Sequence, residues 1–262
     1  MDLMLKKSFT ALMALLIILG GSYFYFSGQQ AEEVYIERVI DGDTVETAAG
    51  DSIRLLGVDT PEIDWENNNS EFYAEKAREF TLNNLADQKV LLEYDKEKED
   101  NYGRILAYIY HDGQNFNQKL LAEGYATLMI VEPNDKYRAE FENAAAEARE
   151  SRKGIWSQVL KIENSLPLIS YQQAELFRGE RVIVEGEIVD TAATDSVNYL
   201  NFSEDYQNTL SLVIFNRNLN KFDYQPAEYF LNKKIKVLGE IELYQGSPQI
   251  IIDDPYDIII ID

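Results

Sequence analysis

The stretch Arg54-Leu55-Leu56-Gly57-Val58-Asp59-Thr60-Pro61-Glu62 constrains this chain more than any other. The apolar run from Ile53 to Val58 reads as a largely buried strand. Pro61 cannot continue the hydrogen-bond ladder, so Asp59, Thr60 and Glu62 fall on the turn that leaves it. A guanidinium at one end of such a strand and two carboxylates at the other need partners, and the turn leaving a strand is where chemistry is usually mounted. Strict alternation would put Arg54 and Asp59 on opposite faces, so Gly57 is predicted to mark a bend or bulge that reconciles them.

Upstream, Val39-Ile40-Asp41-Gly42-Asp43-Thr44-Val45 places two apolar pairs around an Asp-Gly turn, the pattern of a hairpin in which Asp43 opens the second strand. Downstream, Asn101-Tyr102-Gly103-Arg104 leads into another apolar strand, Ile105 to Tyr110. Convergence of the three segments puts two arginines and three carboxylates in one pocket. Carboxylates that close raise one another's pKa and repel unless a cation sits between them. Oxygen donors alone, in a chain without cysteine, favour a hard ion such as calcium or magnesium. The arginines suit a phosphate bridged by that ion, which they grip bidentately.

Asp41-Gly42-Asp43-Thr44, the run Arg54 to Glu62, and Asp100-Asn101-Tyr102-Gly103-Arg104 followed by Leu106-Ala107-Tyr108-Ile109-Tyr110 together resemble the staphylococcal nuclease (thermonuclease) family. The resemblance runs from about Tyr35 to Ser157. It implies an α+β fold, a five-stranded OB-like barrel carrying three helices. By the same resemblance Asp43 and Asp59 are metal ligands, Thr60 supplies a backbone carbonyl, and Asp41 shapes the turn from behind. Glu62 matches the base that activates or positions the attacking water, Arg54 and Arg104 the phosphate-gripping arginines, and Tyr102 a tyrosine near the terminal phosphate of bound nucleotide. The resemblance implies a calcium cofactor and hydrolysis of DNA, with RNA as a second substrate, leaving 3′-phosphate ends. Two departures stand out. Leu128-Met129-Ile130-Val131-Glu132-Pro133 occupies the place of base-stacking tyrosines, and Asn101 that of a lysine. The rival reading is a non-catalytic module on the cell envelope that binds nucleic acid or protein, since this fold is also used without activity. The presence of all of Asp43, Arg54, Asp59, Glu62 and Arg104 favours the enzyme.

Lys6-Lys7 followed by an almost uninterrupted apolar stretch, Phe9 to Phe26, is about long enough to span a bilayer. Residues 1–30 therefore read as a membrane anchor, with a cleaved signal as the alternative, and either places the remainder outside the cytoplasm. Residues 31–160 form the nuclease-like domain, with strands near Val34–Ile40, Thr44–Thr47, Ser52–Val58, Val90–Tyr94 and Ile105–Tyr110. Its helices are expected near Ser70–Leu85, with Ser70 as N-cap, and near Asn115–Glu123 and Lys136–Ser151. Trp156 is expected to seal its end.

A second domain, 165–262, shows alternating segments at Arg181–Val189, Tyr199–Phe202, Leu210–Phe215, Lys234–Ile241 and Pro248–Ile252, with a helix around Gln225 to Phe230. Five strands with a helix between the third and fourth fit a second, small OB-like β-barrel, and the segment resembles OB-fold nucleic-acid-binding domains, in which Tyr199, Phe202, Phe215 and Tyr244 are candidates to stack single-stranded bases. The sole histidine, His111, falls on a turn with no partner at metal-ligand spacing, and no obligate protein partner is indicated.

The formal charge is -22, and neither half carries the basic excess usual for a nucleic-acid binder. Attraction to phosphate must therefore come from the metal and a few local cations; the acidic surface reads either as one suited to a salty habitat or as that of a domain that no longer binds nucleic acid, and the complete acidic and arginine set favours the first.

Overall fold

The computed structural model describes residues 32–66, 70–162 and 165–261. The predicted anchor or signal, 1–30, lies outside them. Among the described residues no helix is long and apolar enough to cross a membrane.

Strands β1 (Glu32–Val39), β2 (Thr44–Thr47), β3 (Ser52–Leu55), β5 (Lys89–Glu93) and β6 (Ile105–His111) pair in the order β3-β2-β1-β5-β6, and β3 pairs again with β6. That last, parallel pairing closes a five-stranded barrel. A bulge interrupts the β1 register between Ile36 and Arg38, so Ile36 and Val39, three residues apart, both turn inward. They join Val45, Ile53, Leu55, Val90, Leu92 and Ile109 in one buried core. Each such side chain contributes about 1.5–3 kcal/mol on burial, which fixes the barrel as the platform for its turns.

The apolar run predicted as one strand is two. The chain breaks after Leu55, and β4 (Gly57–Asp59) leaves the barrel to pair with β8 (Thr127–Met129). Gly57 makes the break with a φ of 78°, and a Cβ there would stand 2.6 Å from the Phe141 ring. Only glycine serves both conditions.

Helix α1 (Ala74–Leu85) starts later than predicted: its N-cap position is Tyr73, at φ 73°, and the Ser70 hydroxyl instead accepts the Asp64 amide at 3.2 Å. The face it buries is Ala74, Ala77, Thr81 and Leu85, whereas Leu82 is exposed. Short β7 (Gln114–Asn115) leads into α2 (Phe116–Ala122), capped by the Asn115 side chain. Helix α3 (Arg138–Glu150) follows, and then α4 (Gln158–Ile162).

Residues 168–260 have their own core, from Val182, Val184, Leu200, Leu212, Ile235 and Ile250 among others. Their strands form two sheets. One is β17 (Ile258–Ile260), β14 (Lys234–Glu240), β10 (Arg181–Glu187) and β9 (Leu168–Ser170). The other is β11 (Asp190–Ala193), β12 (Val197–Asn201), β13 (Ser211–Phe215), β16 (Ser247–Ile251) and β15 (Glu242–Tyr244). A short helix, α5 (Pro226–Phe230), precedes β14.

The two units are joined by apolar contact. Trp156 does not merely end the first unit; it meets Tyr256 edge-on at 6.4 Å, and Val159 packs with Ile183, Leu238 and Ile259. The partly buried Arg149 of α3 pairs with Asp223 and lies over the rings of Tyr224 and Tyr229.

Candidate active site

The β1–β2 turn delivers Asp43. Its backbone amide donates to the Asp41 carboxylate at 3.1 Å, and Gly42 lies so close to Thr60 that a Cβ would sit 2.7 Å from that side chain. The turn is thereby pressed against the end of β4. Asp43 is only 4% exposed, and its carboxylate accepts the Thr60 amide at 2.7 Å, the Thr60 hydroxyl at 3.0 Å and the Thr44 hydroxyl at 3.1 Å.

Arg54 links the two aspartates. Its Nε stands 3.2 Å from Asp43 Oδ1 and its Nη2 donates to Asp59 Oδ1 at 3.0 Å, while Nη1 donates to the carbonyls of Leu55 and Val58 at 2.6 and 2.7 Å. The break at Gly57 puts Arg54 and Asp59 on the same side, as the sequence requires. Glu62 follows on the turn, tied to Glu71 through its amide at 2.8 Å and its carbonyl at 3.0 Å.

Electrostatics follow from crowding. Burial and then Asp43 push Asp41 up to about 6, and burial and then Asp43 raise Asp59 against the pull of Arg54 and Lys221. The Glu62 carboxyl reaches solvent, yet burial and then Asp41, Asp43, Asp59 and Glu71 push it up to about 7. This is a site with more negative charge than its arginine neutralises.

Asp43, Asp59 and the carbonyl of Thr60 are hard oxygen donors beside that excess charge, a set that fits a divalent cation of the calcium type. Among the described residues no three acidic or histidine side chains converge as a ready ligand cage. Two carboxylates and a carbonyl would leave the other positions of a six- to eight-coordinate ion to water and substrate.

Arg104 stands on the neighbouring turn. Asp100 accepts the amides of Tyr102 and Arg104, each at 2.9 Å, and the Arg104 Nε at 2.7 Å. The parallel pairing sets Arg54 opposite Leu106, so Arg104, two residues earlier, sits at the same end of the barrel. Tyr102 is 87% exposed beside the Arg104 guanidinium. Asp41, Asp43, Arg54, Asp59 and Thr60 are thus in one contact network, with Glu62 in its electrostatic field; Arg104 and Tyr102 form a second group anchored by Asp100.

Three residues at the site carry no motif. Glu71 holds the Glu62 turn, and Lys221 with Asp254, both from the second unit, reaches Asp59: the Lys221 ammonium is 3.9 Å from Asp59 Oδ2 and 2.8 Å from Asp254 Oδ1. Lys221 ends a 3-10 helix, Asn216–Lys221, that packs on β8. Of the aromatics singled out in the second unit, Phe202 is core, stacked on Tyr171 at 5.4 Å. Tyr199 and Tyr244 instead line an open groove of about 730 Å³ with Tyr206, and Phe215 lies under the Arg217 guanidinium.

A closed five-stranded barrel with acidic side chains and arginines gathered at one end defines an OB-type barrel built to handle phosphodiesters. The family described as staphylococcal nuclease homologue matches residues 52–158. The thermonuclease of Staphylococcus intermedius is 42% identical over 130 residues, spanning 48% of this chain and 77% of that protein, and the thermonuclease of Staphylococcus hyicus matches to the same extent. The endonuclease YncB of Bacillus subtilis is 40% identical over 129 residues, 47% of this chain and 61% of its own. The chain belongs to the staphylococcal nuclease family. It is a nuclease, a hydrolase whose substrate is nucleic acid.

Proposed function

We propose that this nuclease is a calcium-dependent endonuclease that hydrolyses DNA, and RNA as a second substrate, leaving 3′-phosphate ends. The observation that carries the reading is the network in which Arg54 joins Asp43 to Asp59 beside Glu62. Asp43, Asp59 and the Thr60 carbonyl would hold the ion, which supplies charge neutralisation and polarises the phosphorus.

The chain's own groups do the rest. Asp41 fixes the turn that presents Asp43. Glu62, raised toward neutrality, accepts a proton from the attacking water while the water oxygen bonds to phosphorus; the bond from phosphorus to the 5′ oxygen breaks in line and that oxygen leaves with the electron pair. Arg54 and Arg104 face the charge that develops on the pentavalent phosphorus, and Tyr102 borders the terminal phosphate. The second unit, 165–262, is read as an OB-like domain. Its groove with Tyr199 and Tyr244 supports contact with single-stranded substrate. The apolar stretch Phe9 to Phe26 behind Lys6-Lys7 supports an extracytoplasmic enzyme, anchored or secreted.

The test is cleavage of a single-stranded oligonucleotide with calcium, magnesium or chelator, followed by end-group analysis. Calcium-dependent cleavage giving 3′-phosphates is expected. Equal cleavage in chelator would refute the metal assignment, and 5′-phosphates the bond assignment.

A further inference from the structure

Resting on the nuclease reading, we infer that the second unit completes the active site, with Lys221 serving as a substrate-phosphate-binding residue beside Asp59. The polyanionic substrate must approach a chain of net charge -22. Among the described residues, Asp41, Asp43, Asp59, Glu62, Glu71 and Asp254 stand at the site itself against Arg54 and Lys221, with Arg104 and its partner Asp100 on the neighbouring turn.

Two of those cations are already engaged. Every nitrogen of Arg54 has a protein partner: Nε with Asp43, Nη1 with two carbonyls and Nη2 with Asp59. Arg104 is drawn to Asp100 through Nε. Lys221 differs. Its ammonium carries three donors, one of which Asp254 takes at 2.8 Å. At 3.9 Å from Asp59 Oδ2 it is beyond hydrogen-bond distance, so it flanks the carboxylate without capping it.

Its position is set by packing. The side chain is 25% exposed, and its 3-10 helix packs on β8, the partner of β4 that carries Asp59. The same connection is tied down two residues later by Asp223 against the partly buried Arg149. An anchored ammonium with donors to spare, at the rim of a phosphodiester site, is a phosphate contact awaiting substrate. Asp254 is the positioning residue that aims it.

The test uses the full chain and a single-stranded thymidine oligonucleotide in calcium, across a salt series, for the wild type, K221A, K221Q and K221R, with thermal melting as the folding control. K221A and K221Q are expected to raise KM roughly tenfold with little change in kcat. One lost phosphate contact should also flatten the slope of log(kcat/KM) against log salt by about 0.7. K221R should restore most of that slope. Fluorescence anisotropy on E62Q and on E62Q with K221A reads the same contact without turnover, so it decides the matter even if the wild type fails to cleave. Unchanged KM, slope and binding in K221A would overturn the inference and leave the nuclease reading intact. A lower KM would overturn it too, by showing that the ammonium obstructs substrate. A wild type that binds but never cleaves would sink the nuclease reading and not this one.

Discussion

Arg54 and Asp59, five residues apart on what the sequence writes as a single strand, meet side chain to side chain at 3.0 Å because the backbone turns through Gly57 at φ 78°. The contact brings together the barrel, which carries Arg54, and the β4–β8 ribbon, which carries Asp59. Replacing Gly57 by alanine meets both the strained φ and the Phe141 ring 2.6 Å away. We expect a loss of at least about 2 kcal/mol in urea unfolding. Turnover should fall further than the lost folded fraction explains, since the two side chains would no longer align. Wild-type stability and turnover in G57A would contradict this account of the break.

The acid limb of the pH profile should report Glu62. Its carboxyl is pushed up to about 7 by burial and by four neighbouring carboxylates, and the base acts only when deprotonated, so kcat/KM rises as pH climbs through that value. A divalent cation held between Asp43 and Asp59, as proposed, would cancel part of that negative field and favour the ionised form. The midpoint should therefore move to lower pH at saturating calcium than at limiting calcium. A midpoint indifferent to calcium would separate Glu62 from the metal site.

Calcium held as proposed by Asp43, Asp59 and the Thr60 carbonyl should also stabilise the fold, because those donors are assembled only in the folded chain. At a hundred times its Kd the gain is about 2.7 kcal/mol, visible as a rise in Tm that chelator reverses. Asp59→Asn should abolish most of that rise while leaving the metal-free Tm nearly unchanged or higher, since it relieves the cost of burying the charge and the repulsion from Asp43, which together outweigh the pull of Arg54 and Lys221. A full calcium-induced rise in D59N would remove Asp59 from the ligand set.

Arg149→Ala tests the joint between the units. The substitution leaves Asp223 buried without its cation and removes a guanidinium stacked on Tyr224 and Tyr229. Breaking such a pair costs about 3–5 kcal/mol, and the two cores should then melt in separate steps in calorimetry. One unshifted transition would mean that the apolar contacts around Trp156 and Val159 suffice.

What could be read from the sequence was what local chemistry dictates. The Asp-Gly turn, the proline that stops β4 and the glycine that bends it are signals within a few residues, so the hairpin, the bend at Gly57 and the Asp43–Arg54–Asp59 set can be read from the sequence, whereas the departure of β4 from the barrel to pair with β8 cannot. Ser70 misled because a hydroxyl before an apolar-periodic stretch looks like a helix cap, whereas the chain spends that hydroxyl on Asp64 and starts the helix at Ala74. Phe202, one residue past β12, reads alike whether it faces solvent or core, since alternation alone does not say which face is covered. Lys221 and Asp254 were invisible for a different reason: they reach Asp59 from more than 160 residues downstream, through the docking of one core on another. Trp156 follows α3 of the first unit in sequence, yet its ring meets Tyr256 of the second, so it is part of that docking.

The central claim is that the Asp43–Arg54–Asp59 network with Glu62 is a hydrolytic centre, and Glu62→Gln tests it most directly. The amide keeps the size of the side chain and removes the base. Single-turnover cleavage of single-stranded DNA in saturating calcium is expected to slow by about 10²–10⁴-fold, with Tm and oligonucleotide binding close to the wild type. Cleavage by E62Q at the wild-type rate would contradict the account.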